Sequence, residues 1–134
     1  MDILYENIRQ KLDTYRDAIK RLENIIIQPE INDYRLDAVI KRFEFTYELS
    51  WKLLKLLLEY KGIEAKSPRD CFKEAFAIGL IHDGTSWIDM LNDRNLTTHT
   101  YKEADAREIC KRIEEVYFAK LVSLINSAEE VLKI

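Results

Sequence analysis

The stretch Phe43–Leu58, FEFTYELSWKLLKLLL, decides the fold. Its only charged residues are Glu44, Glu48, Lys52 and Lys55. With Lys41 before them and Glu59 after, they recur every three or four residues and form one polar stripe along an α-helix. Almost everything else is large and apolar: Phe43, Phe45, Tyr47, Leu49, Trp51 and the leucines at 53, 54, 56, 57 and 58. One four-helix core occupies an apolar face roughly 100° wide on each helix. The surplus has two covers available, the short helix that follows or a second copy of the chain. The expectation is a two-fold homodimer through this apolar second helix.

Upstream, Leu4, Ile8, Leu12, Tyr15, Ile19, Leu22 and Ile26 trace a single seam along a first helix. It should stop before Gln28-Pro29, because a residue ahead of proline avoids the α region. Asp33 is the expected N-cap of the second helix, which spans Tyr34 to Lys61 and stops at Gly62. Downstream, Ser67-Pro68-Arg69-Asp70 reads as a cap, a first-turn proline and a first-turn acid. A short helix with Phe72, Ala75 and Phe76 follows and ends at Gly79, and Ile81-His82-Asp83-Gly84 makes a turn. A fourth helix should start at Thr85 or Ser86 and run through Trp87, Ile88 and Leu91 to about Leu96–Thr98. Thr100 and Glu103 have capping-box spacing for the last helix, whose seam reads Ala106, Ile109, Ile113, Val116, Lys120/Leu121, Leu124, Ala128 and Val131. The expected architecture is all-α: a single domain over residues 1–134, an antiparallel up-and-down four-helix bundle with an additional short helix.

Composition agrees and narrows the function classes. The 134 residues are 47% hydrophobic, enough for a core without disulfide or metal staples. Three glycines and two prolines are too few for the turns of a sandwich or barrel, and no glycine-rich phosphate loop exists. A net charge of −3 argues against a broad positive field for coating nucleic acid, but leaves room for a small local site. No membrane span or signal segment is expected, and Cys71 and Cys110 read as reduced core residues of a cytoplasmic chain. Trp51 and Trp87 read as core anchors, and tyrosines 5, 15, 34, 47, 60 and 117 fall on or beside helical seams and need no function.

One segment departs from core logic: Asp93-Arg94-Asn95-Leu96-Thr97-Thr98-His99-Thr100-Tyr101, with a single aliphatic residue. Arg94 offers a fixed positive fork suited to phosphate, and His99 a proton-transfer group near neutrality. Together they suit phosphodiester cleavage without metal. On an unbroken helix they lie about 140° apart, so they converge only if the helix ends between them or a two-fold partner brings a second copy. The Thr100 cap suggests a break there. The plainer alternative is an ion pair from Arg94 to Asp93 or Asp89 and a helix-capping histidine. Arg107 and Lys111, four residues apart, share a face that Arg94 could extend into a groove for a single strand; a solvated helix face is the competing reading. His82, Asp83, Asp89, Asp93 and His99 are scattered, so no metal site is expected, and no cofactor signature is present.

Arg94, His99 and Tyr101 match the Arg-x4-His-x-Tyr motif of the HEPN superfamily of helical bundles. Phe43–Lys52, with Trp87 ahead of Arg94-Asn95, resembles the nucleotidyltransferase substrate-binding protein family over nearly the whole chain. That resemblance implies a homodimeric bundle serving as the substrate-binding or accessory subunit of a separate minimal nucleotidyltransferase, in a two-component, toxin–antitoxin-like system. The alternative that it implies is a metal-independent endoribonuclease. There Arg94 and His99 are catalytic across the dimer, Tyr101 is modified by AMP, and Asn95 fills the polar position after the arginine. Asn95, Arg107 and Lys111 are the candidate substrate or partner contacts, and RNA is a candidate ligand. Nucleotidyltransferase catalysis by this chain itself is not expected, since it lacks the Gly-Ser dipeptide and following Asp-x-Asp pair of that fold.

Overall fold

The computed structural model describes residues 2–99 and 102–134. They form α1 (Ile3–Ile26), α2 (Asp33–Tyr60), α3 (Pro68–Ala77), α4 (Gly84–His99), α5 (Glu103–Arg112), a π turn (Ile113–Tyr117) and α6 (Phe118–Leu132). The last three follow one another without a gap, so α1, α2, α4 and the α5–α6 rod are the four long members, and α3 packs on α2 and α4. No strand occurs among the described residues.

Local chemistry sets the ends. Asn32, extended at φ −146°, accepts from the Arg35 amide at 2.9 Å, so the α2 cap lies one residue before the expected Asp33. Asn and Asp cap equally well, and the one in extended conformation takes the role. Asp33 becomes the first-turn acid. At the other end Gly62 sits at φ +82°, where the Ile63 amide reaches the Leu58 carbonyl (2.8 Å) and that of Gly62 reaches Glu59 (2.9 Å). Ser67 caps α3 and Gly79, at φ +81°, closes it, as expected. Asp83 accepts from the Ser86 amide at 3.1 Å, which starts α4 at Gly84 rather than at Thr85 or Ser86. Thr100, the expected cap of the last helix, lies outside the described residues; α5 starts at Glu103 after Lys102, which makes no side-chain cap.

α2 is the spine, packed against α1, α3, α4, α5 and α6. Its Leu36, Val39, Ile40, Phe43, Tyr47, Leu53, Leu54, Leu57 and Leu58 are all buried. Most of the apolar circumference that suggested pairing is covered by the chain's own helices, leaving Tyr34 (88%), Phe45 (55%) and Tyr60 (37%) exposed and Trp51 and Leu56 half-buried. Tyr34 thus lies beside the seam rather than on it. Trp87 anchors the core through Phe72, at 5.3 Å between ring centroids, whereas Trp51 is half-buried and donates to Glu48. The last seam departs from the expected one by one position at the π turn and again at its end, and keeps Leu121, Leu124 and Ala128. Tyr117 is buried in place of Val116, and Leu132 in place of Val131.

A candidate anion site on the fourth helix

α4 continues unbroken through the polar segment to His99. The hydroxyl of Thr97 lies 2.7 Å from the Arg94 carbonyl, and that of Thr98 lies 2.8 Å from the Asn95 carbonyl. These bonds satisfy the threonines inside the helix, so their polarity does not end it. The expected break between Arg94 and His99 is therefore absent, and the two positions stand about 140° apart on one helix. Arg94 lies toward the α2 side. Asn95 is exposed, and position 99 lies one turn along from it on the same face. Tyr101 lies outside the described residues.

Arg94 pairs with neither Asp93 nor Asp89. Its Nη1 stands 3.6 Å from Oε2 of Glu44 on α2, with the two side chains only 22% and 19% exposed. The same carboxylate oxygen lies 2.8 Å from the Thr97 hydroxyl. The Nε of Arg94 is buried with no hydrogen-bond partner among the described residues, and so is the neighbouring Tyr47 hydroxyl. Burial, reinforced by Glu48, pushes the Tyr47 phenol well up, and the Arg94 charge opposes that shift.

Asp93 serves a different cluster. It is 6% exposed and accepts from Arg112 Nε (2.7 Å), Arg112 Nη2 (2.9 Å) and the Tyr117 hydroxyl. This fork-on-carboxylate pairing raises the Arg112 pKa, and burial followed by Asp93 raises that of Tyr117. The network ties α4 to the π turn at the level of Arg94.

Arg107 and Lys111 line a small cleft with Asn32, Arg35 and Glu114, and Arg107 bonds Glu103 (2.7 Å) and lies 3.7 Å from Asp33. Those ion pairs are separate from the Arg94–Glu44 pair, and Arg107 and Lys111 are exposed, as a solvated helix face has them. The basic residue bonded to the polar segment is Arg112. Sequence reading passed over three residues, Glu44, Arg112 and Tyr117. Their one advance signal was that a half-buried Arg94 requires a counter-charge from another helix. Among the described residues no group of three or more His, Cys, Asp or Glu could hold a metal ion, and no helix is long and apolar enough to cross a membrane.

Residues 10–130 match the family described as nucleotidyltransferase substrate binding protein like. A Haemophilus influenzae protein named "Probable ribonuclease HepT" is 35% identical over 95 residues, which span 66% of this chain and 65% of that protein, under two thirds of its length. A solved structure from Haemophilus influenzae, described as revealing the fold of a substrate binding domain of a nucleotidyltransferase, is 28% identical; it covers 88% of this chain and 98% of its own, with a TM-score of 0.76. The fold also matches that of a tri-AMPylated HEPN toxin of Shewanella oneidensis solved in complex with its MNT antitoxin, at 19% identity and a TM-score of 0.75, over 97% of this chain and 99% of that one. With its all-helical bundle and a family match over residues 10–130, this chain belongs to the nucleotidyltransferase substrate binding protein like family.

Proposed function

We propose that this chain is the substrate-binding subunit of a two-component, toxin–antitoxin-like system in the cytoplasm, and that it works as a homodimer beside a separate minimal nucleotidyltransferase. The observation that carries the two-copy reading is the unbroken α4. Arg94 faces α2 while position 99 lies about 140° away with Asn95, so a site using both residues draws them from two copies. With most of α2 covered within the chain, the pairing surface we assign is the open face of α4 around Asn92, Asn95 and Leu96, all exposed. Asn95, and on the separate cleft Arg107 and Lys111, are the contacts for partner or substrate. A tagged chain recovered from its host should bring a nucleotidyltransferase with it in stoichiometric amount; recovery without one overturns this reading.

A second reading has a specific support in Arg94, which among the described residues makes no short bidentate pair and keeps its Nη donors for a phosphate. Here the dimer is a metal-independent endoribonuclease, with His99 as acid or base and Arg94 stabilising the charge on the scissile phosphate. The partner silences it by transferring AMP from ATP to the Tyr101 phenol oxygen, with release of pyrophosphate. RNA cleavage lost in His99→Ala, and an AMP-sized mass increase lost in Tyr101→Phe, are the expected results. A wild type that cleaves no RNA overturns it.

A further inference from the structure

We infer that Glu44 is the positioning residue for Arg94, holding the guanidinium at the α2–α4 boundary by charge while leaving its Nη donors open to an anion. This rests on the reading of Arg94 as the cation of the site. Arg94 on α4 and Arg112 at the end of α5 are held in contrasting ways. Arg112 meets Asp93 through two bonds of 2.7 and 2.9 Å, which tie up one edge of its fork. Arg94 meets Glu44 at 3.6 Å, beyond the hydrogen-bonding range of about 2.7–3.2 Å, so the attraction is Coulombic and consumes no donor. Both side chains are largely out of water, where such an attraction is weakly screened.

Glu44 is itself held. The one Thr97 hydroxyl proton is shared between Glu44 Oε2 (2.8 Å) and the Arg94 carbonyl (2.7 Å), and Thr97 lies three residues beyond Arg94 on the same helix, so carboxylate and guanidinium share one frame. Among the described residues Arg94 has no other ion-pair partner, and its buried Nε has no acceptor. Loss of the Glu44 charge therefore frees the guanidinium to swing.

Glu44→Gln keeps the size of the side chain and an oxygen for Thr97, removes the charge and turns the other oxygen into an amide NH2. It is paired with Arg94→Lys in a double-mutant cycle with two readouts. The first is the Arg94 Nε–H NMR signal, assigned by its loss in Arg94→Lys. The second is RNA cleavage. Glu44→Gln should speed exchange of that signal with water and lower kcat about ten-fold with KM nearly unchanged, as expected of a misplaced catalytic group. In the Arg94→Lys background it should add little. An unmoved Nε–H signal, or an equal loss of cleavage in both backgrounds, overturns the inference. A wild type that cleaves no RNA overturns the ribonuclease reading instead, and the Nε–H signal then decides the role of Glu44 alone.

Discussion

Asp93→Ala removes the acceptor of the buried cluster joining α4 to the π turn, and its cost can be worked from the contacts. Arg112 is 42% exposed and regains water, so its lost pair counts for no more than about 1 kcal/mol. The Tyr117 hydroxyl is buried and is left without an acceptor, which costs about 1–3 kcal/mol. The sum is about 3 kcal/mol, or a fall in Tm of about 10 °C for a domain of this size. Tyr117→Phe keeps the ring in the core and leaves Asp93 bonded to Arg112, so it should cost only about 1 kcal/mol. In the double variant no hydroxyl is stranded, and the total should fall short of the two single losses by about 1–2 kcal/mol. Urea unfolding followed by circular dichroism, with equal m-values, measures all three. Strict additivity, or an Asp93→Ala loss below about 0.5 kcal/mol, would refute the assignment of Asp93 as the anchor of α4.

Asn32→Ala should cost about 1 kcal/mol in urea unfolding and Asp33→Ala a few tenths, since Asn32 makes the cap bond and Asp33 only meets the helix dipole; the reverse order contradicts this. Tyr34→Ser should leave stability within about 0.5 kcal/mol, because the ring is exposed. Burial first, then Glu114, pushes the Cys110 thiol up to about 11 from its ordinary 9.0, and burial also raises Tyr15, Tyr47 and Tyr117. The unfolded chain then loses these protons before the folded one, so stability is full below pH 9 and declines as pH rises through about 11. Cys110→Ala should flatten part of that decline, and a wild type equally stable at pH 8 and pH 11 contradicts it.

Helix identity was readable because the seams of the long helices repeat over many turns, and Lys41, Lys52, Lys55 and Glu59 of the polar stripe do lie on the open side of α2, whereas Glu44 is turned to α4. Periodicity cannot count neighbours, however. The same apolar circumference that suggested a dimer is what a helix needs when five others pack on it. The π turn at Ile113–Tyr117 carries no compositional mark, and the change from Val116 to Tyr117 became visible only with Asp93 as its partner across the groove. At the site, Arg94 was legible as an unusual cation in a polar run. Its counter-charge was not, because Glu44 lies fifty residues upstream and only the α2–α4 packing brings them together. The expected helix break failed for a local reason, since Thr97 and Thr98 bond their own helix.

The most direct measurement of whether positions 94 and 99 act together across two copies is subunit complementation. Arg94→Ala and His99→Ala chains, each inactive alone and each folded, are mixed, exchanged to equilibrium and assayed for RNA cleavage. At equal amounts about half of the pairs are mixed, and each mixed pair carries one intact composite site of two, so activity should recover to about a quarter of wild type. A mixture no more active than its separate components, beside a wild type that does cleave, would contradict a site shared between copies.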